Sequence, residues 1–136
     1  MNSIFNHSIT MSNSLYSISA PIIGRTLKHL KHIVAKGEAH ALAQGWEASV
    51  VLQSRLFPDM FPLVKQVQVA TDIAKGGMAR LAGVEIPKYD DIEATFAAVQ
   101  ERLDTTLAFI KTISAEQVDG NEAKIITLVR KTGDVQ

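Results

Sequence analysis

Three histidines on one stretch, His29, His32 and His40, are the first residues whose chemistry could go beyond packing. On a continuous helix at about 100° per residue they fall within roughly 80° of one another, along one edge of an apolar stripe. Axial rise separates them. His32 and His40 stand about 12 Å apart along a helix axis, too far for one ion to bridge. His29 and His32 are closer, but two imidazoles alone make no specific metal site, and the lysines around them read as a solvated face. His40, flanked by Ala39 and Ala41, is the histidine best placed as a metal ligand; a core or helix-end histidine is the ordinary alternative.

A second polar set, Gln66, Gln68, Asp72, Lys75 and Arg80, lies on a later helical pattern. Asp72 and Lys65 sit far from that helix's apolar stripe, so solvent exposure is expected. Lys65 with Gln68, Gln68 with Asp72 and Asp72 with Lys75 have the spacing of helical neighbours and can bond to one another on the surface. The functional alternative is a polar pocket containing Gln66 and Asp72. Between the two patterns, Arg55-Leu56-Phe57-Pro58-Asp59-Met60-Phe61-Pro62-Leu63 is the most individual stretch. Two prolines make it rigid, and Arg55 is expected to pair with Asp59 or with acids elsewhere in the bundle. No hydrolase elbow, phosphate-cradling glycine loop, HExxH or EF-hand pattern occurs. The absence of cysteine removes disulfides, thiolate metal sites and cysteine nucleophiles.

The elements that must position these groups are helical. Leu15, Ile18, Ile22, Ile23, Leu27, Leu30, Ile33, Val34 and Ala41 recur at spacings of three and four, predicting a helix from Leu15 to Leu42. A short helical segment, Glu47–Gln53, is expected next. A second long helix is expected from an N-cap at Asp59, with Pro62 in its first turn and Gly83 as its stop. Gly76-Gly77 within it implies close approach by another helix. Asp90 with Glu93 resembles a capping box. The third helix then carries Ile92, Phe96, Val99, Leu103, Leu107, Ile110 and Ile113 as its inward stripe. After Ser114 the pattern changes. Asp119-Gly120-Asn121 signals a turn, Ile125–Val129 favours a strand, and Lys131–Asp134 looks like a hairpin turn.

With 136 residues and 46% hydrophobic composition the chain suits one domain. We expect a polar mobile tail at 1–13, with Met11 as an alternative start, and a single helical-bundle domain at 14–136. Fourteen Lys+Arg balance fourteen Asp+Glu, which argues against a nucleic-acid binder held by a general basic field. The balance is uneven along the chain. Residues 1–58 carry five Lys/Arg against two acids, so the first helix is basic and the remainder acidic. No secretory signal and no run of about 20 apolar residues is present, pointing to a cytoplasmic protein without a membrane partner.

Several segments together resemble a known family. They are Ser14-Leu15-Tyr16, Glu38-Ala39-His40-Ala41, Arg55–Leu63, Gln66–Asp72 with Ala74-Lys75-Gly76, and Ala79-Arg80-Leu81-Ala82-Gly83-Val84-Glu85-Ile86-Pro87. The set is similar to a bacterial family of unknown function within the DinB/YfiT-like superfamily of metalloenzymes, over about Met11–Val135. The resemblance implies an all-α, up-down-down-up four-helix bundle, often dimeric. It also implies a fourth helix that would lie beyond this chain's hairpin-like segment. In metal-binding members, three histidines on the second and fourth helices hold a divalent ion such as zinc or nickel. Here the second helix has none, and Gln66, Gln68 and Asp72 occupy its polar positions. The candidate site residues are therefore His40, Gln66, Asp72, Tyr16 and Arg55, with His40 the candidate metal ligand. The function expected is that of a dimerising or small-ligand-binding bundle domain; the alternative is a metal-dependent enzyme of thiol-transferase type.

Overall fold

A computed structural model of the chain describes residues 13–128. Its elements are α1 (Ala20–Gln44), α2 (Ala48–Leu52), α3 (Leu63–Ala82), α4 (Phe96–Lys111) and α5 (Ala115–Val118). The fold is all-α, built on the three long helices that the periodicity predicts. No strand occurs among the described residues: Ile125–Leu128 run without regular structure. Val129 and the expected hairpin turn at Lys131–Asp134 lie outside the described residues, as does most of the expected N-terminal tail. No helix among the described residues is long and apolar enough to cross a membrane.

The core forms where the stripes meet. α1 buries Ala20, Leu27, Val34 and Ala41, one residue every second turn, and packs chiefly against α4. α4 presents Phe96, Val99, Leu103, Leu107 and Ile110, and α3 closes its other side with Val64, Val67, Ala74 and Met78. Leu103 and Met78 are completely enclosed, and burying a side chain of that size contributes about 1.5–3 kcal/mol. Leu52 on α2 and Val118 on α5 plug the same core.

The helix boundaries differ from the sequence expectation in instructive ways. α1 begins at Ala20 because Leu15–Ser19 form a turn, tied by Ile18 N–H to Ser14 O at 3.2 Å and by Tyr16 N–H to the Asp119 carboxylate at 2.8 Å. Pro21 then suits the first helical turn. Ile18, Ile22 and Ile33 stay exposed, so the apolar stripe is wider than the face that packs. α3 starts at Leu63 with extended Pro62, not Asp59, at its N-cap. It ends as expected at Gly83, whose φ of 71° is left-handed and whose N–H reaches Ala79 O and Arg80 O. α4 starts one turn later than Asp90 and Glu93 suggest. Thr95 caps it, its hydroxyl accepting the Ala98 N–H at 3.1 Å, and Ile92 is left 81% exposed.

The mid-helix glycines also depart from expectation. No second helix approaches Gly76. Its open side is filled by the guanidinium of Arg80 on the same helix, 2.8 Å from where a Cβ would stand, while Gly77 faces open space. Gly37 does meet a neighbouring helix, with Phe96 Cε1 at 3.9 Å from its notional Cβ.

Candidate functional site

Two of the five candidate residues, Arg55 and Gln66, line one cleft. Between α2 and α3 the chain reverses through 53–62, where Pro58 and Pro62 carry no backbone donor. Side chains and turns supply the bonds. Arg55 Nη1 donates to Met60 O at 2.6 Å, Met60 N–H donates to Phe57 O at 3.0 Å, and Leu63 N–H donates to Ser54 O at 3.0 Å. Gln66 Nε2 reaches Phe61 O at 3.3 Å from the first turn of α3. Arg55 therefore braces the turn through a carbonyl instead of pairing with Asp59 or another acid. The open cleft has a volume of about 400 Å³, with Val51, Leu56, Met60, Phe61 and Leu63 as apolar walls and Arg55, Ser54 and Gln66 as its polar edge. A concave apolar space with a few convergent polar groups is the usual form of a small-molecule site.

Asp72, the third candidate, belongs to a separate assembly. Arg102, only 5% exposed, projects from α4 into the gap beside α3 and the 83–95 connection. Its Nε donates to Thr71 Oγ1 at 2.7 Å, Nη2 to Asp72 Oδ1 at 2.9 Å, and Nη1 to Glu93 Oε1 at 3.0 Å and Asp90 O at 3.1 Å. Asp91 Oδ1 lies 3.1 Å from the same Nη1 and is held from the other side by Lys65 at 2.7 Å. Gln68 completes Glu93, donating to Oε2 at 2.7 Å. Lys75 pairs with Asp72 at 2.8 Å, and its ammonium lies 3.7 Å from the centre of the Tyr89 ring, a cation–π contact.

The charges of this assembly follow from its contacts. The Lys65 hydrogen bond, against a smaller opposing effect of burial, holds Asp91 below its ordinary carboxylate range. Burial pushes Glu93 upward, but the hydrogen bonds from Gln68 and Arg102, a backbone hydrogen bond and the charge of Arg102 together outweigh it, and the net shift is downward. Burial likewise disfavours charge on Arg102, yet Glu93, Asp72 and Asp91 more than restore it. A buried guanidinium with so many carboxylate oxygens is satisfied. It staples the long connection to two helices.

Gln68 and Lys75 are buried, contrary to their reading as surface groups. Asp72 is close to that reading, its side chain 45% exposed while it bridges Arg102 and Lys75. Arg102, Glu93 and Tyr89 were not among the candidates. The signal for Arg102 is its place in the inward stripe, three residues after Val99 and four before Thr106, where a charge must be neutralised.

The remaining candidates stand elsewhere. His40 is exposed near the end of α1, its ring edge-on to Trp46 with centroids 5.3 Å apart. No group of three His, Asp or Glu side chains able to hold a metal gathers among the described residues, so these residues do not fit the divalent ion that the resemblance implies. Tyr16 lies at the opposite end of α1, against α4. The arrangement thus divides the five candidates among four places.

Comparison with known proteins agrees with this architecture. The family model described as "Domain of unknown function (DUF1993)" matches residues 15–136. A solved structure, that of a DinB family member protein from Shewanella denitrificans, is similar at 35% identity with a TM-score of 0.77. The alignment covers 86% of this chain, which spans 66% of the length of that structure. No curated protein matches.

Proposed function

From a chain that belongs to the DUF1993 family, a DinB-like family of unknown function, we propose a small-ligand-binding bundle domain whose ligand sits between α2 and α3. The observation that carries this reading is the cleft of about 400 Å³ at Arg55 and Gln66. Its volume falls in the range that accommodates a small organic molecule. Its walls are apolar, so the ligand body is apolar as well. Arg55 spends only Nη1 on Met60 O among the described residues, leaving guanidinium donors for an oxygen acceptor on the ligand. We read the functional unit as a binder, since among the described residues the guanidinium of the polar assembly on α4 is already committed to Thr71, Asp72, Asp90 and Glu93.

A second reading has its own support. Leu56 and Phe61 line the cleft at 92% and 55% exposure, and Phe57 in the same segment is 64% exposed; apolar surface of this kind also suits a second copy of the chain. Homodimerisation through this surface would cover the mouth and is compatible with ligand binding. A cytoplasmic setting completes the proposal.

The test uses N-phenyl-1-naphthylamine, a neutral apolar probe that fluoresces when it leaves water. The expected result is a saturable rise in emission with the native chain, lost when Ser54→Trp fills the cleft from its exposed edge while the helical circular dichroism stays native. No rise with the native chain, or an unchanged rise in the variant, overturns the proposal.

A further inference from the structure

The other end of α1 carries a cleft of different character. Here α1 crosses the last turns of α4, enclosing about 350 Å³. The floor is apolar: Leu107 and Ile110 of α4 lie against Ala20 of α1, all three buried. Gly24 leaves room above it, since no atom comes within 4 Å of where its Cβ would stand. The rim is cationic. Arg25 and Lys28 come from α1, Lys111 comes from α4, and no acidic side chain is among the lining groups.

Charge is the unusual part. Arg25 and Lys28 are helical neighbours of like sign, an unfavourable spacing, and Lys111 adds a third positive charge from across the cleft. None of the three has a carboxylate partner among the described residues, whereas Lys31, one turn further along α1, pairs with Asp104 of α4. Asp119 is occupied with the backbone N–H of Tyr16 at 2.8 Å and does not line the cleft, whereas the Tyr16 side chain closes one end of it. Three cations over an apolar floor complement an anion with an apolar tail.

We propose that this α1–α4 cleft binds a free amphiphilic monoanion of the medium-chain carboxylate class. The carboxylate sits among Arg25, Lys28 and Lys111, and the chain lies on Leu107 and Ile110. The modest volume favours a medium chain over a long one. The site is independent of the one at Arg55: it is at the opposite end of α1 and differs in the charge of its rim.

Calorimetric titration of the full chain with decanoate tests this, with decanol as the uncharged control. Decanoate is expected to bind at least tenfold more tightly than decanol, with affinity falling as salt is raised. The double substitution Lys28→Glu with Lys111→Glu, at two exposed positions, is expected to weaken decanoate at least tenfold. The same variant is expected to keep the naphthylamine response of the other cleft, which separates failure of one site from failure of the other. Equal binding of decanoate and decanol, or decanoate binding insensitive to the charge reversal, overturns the proposal. So does co-sedimentation with phosphatidylglycerol vesicles without binding of free decanoate, which would make the patch a membrane contact instead.

Discussion

Arg102 and Glu93 meet at 3.0 Å across the boundary between the 83–95 connection and α4, and this pair explains why α4 begins where it does. Glu93 has the sequence position of a capping-box acid for a helix starting near Asp90. Its carboxylate is instead taken by Arg102 and Gln68. With the acid committed to the interior, the cap passes to Thr95. A buried guanidinium has thus overridden a local helix signal, because leaving it unpaired would cost more than a cap is worth.

Removing the guanidinium should therefore be severe. Arg102→Met keeps much of the volume but leaves Glu93, whose side chain is 9% exposed, without its cationic partner and with only Gln68 to bond it. The expected loss is about 3–5 kcal/mol in urea denaturation. Arg102→Lys should recover only part of it, since an ammonium cannot reproduce the fork that reaches Thr71, Asp72 and Glu93 together. A loss below about 1 kcal/mol for the methionine variant would mean that the assembly does not hold the connection.

Acid should weaken the same assembly. Glu93 and Asp91 both bind their protons less tightly in the folded chain than in the unfolded one. Their stabilisation is complete above the ordinary values of 4.5 and 3.8, and it is lost as pH falls through their lower folded values. The urea midpoint should accordingly be insensitive to these groups near neutrality and drop in the acid range. Glu93→Gln should lower the midpoint at neutral pH and flatten the acid drop. Parallel curves for the native chain and the variant would remove Glu93 from the account.

Gly77 within α3 and Gly83 just after its end should respond in opposite directions to alanine. Gly83 has a φ of 71°, where an added Cβ is strained, and that Cβ would meet Lys124 Nζ at 3.0 Å. Gly83→Ala should destabilise by about 1–2 kcal/mol. Gly77 is helical with nothing within 4 Å of its notional Cβ, so Gly77→Ala should stabilise by roughly 0.5–1 kcal/mol. Thermal melts of both variants decide the matter. A destabilised Gly77→Ala would show that another surface approaches α3 there.

Periodicity made most of the scaffold legible. Leu27, Val34, Phe96, Leu103 and Ile110 were all recognisable as inward from spacing alone, and each is buried. The short α2 and the Gly83 stop were legible for equally local reasons. Spacing could not separate the packed part of a stripe from its exposed margin, so Ile18, Ile22, Ile33 and Ile92 were read as core residues. That distinction depends on which helices lie alongside.

The polar assembly was harder to read because its partners come from three segments. Val64, Gln68, Thr71 and Lys75 follow one another at spacings of four, three and four along α3. That is the geometry of a single buried line, yet their polarity argued for the surface. Their partners lie elsewhere in the chain: Glu93 accepts from Gln68, Arg102 donates to Thr71, and Lys75 sits over Tyr89. Arg55 and Gln66 were singled out from a distinctive local segment, and proximity in sequence sufficed to bring them to one cleft. His40 and Tyr16 came from the same kind of segment, but they lie at opposite ends of a 25-residue helix and share no site.

Trp46, set edge-on to His40 just after the end of α1, has one more consequence. It is the chain's single tryptophan, and Trp46 N–H holds the last turn of α1 through Ala41 O at 2.9 Å. All indole emission from this protein therefore originates at one corner, where the longest helix hands over to the segment bearing Val51. The molecule carries its own optical gauge there, and any spectral change on adding a ligand can be assigned to that junction without a label.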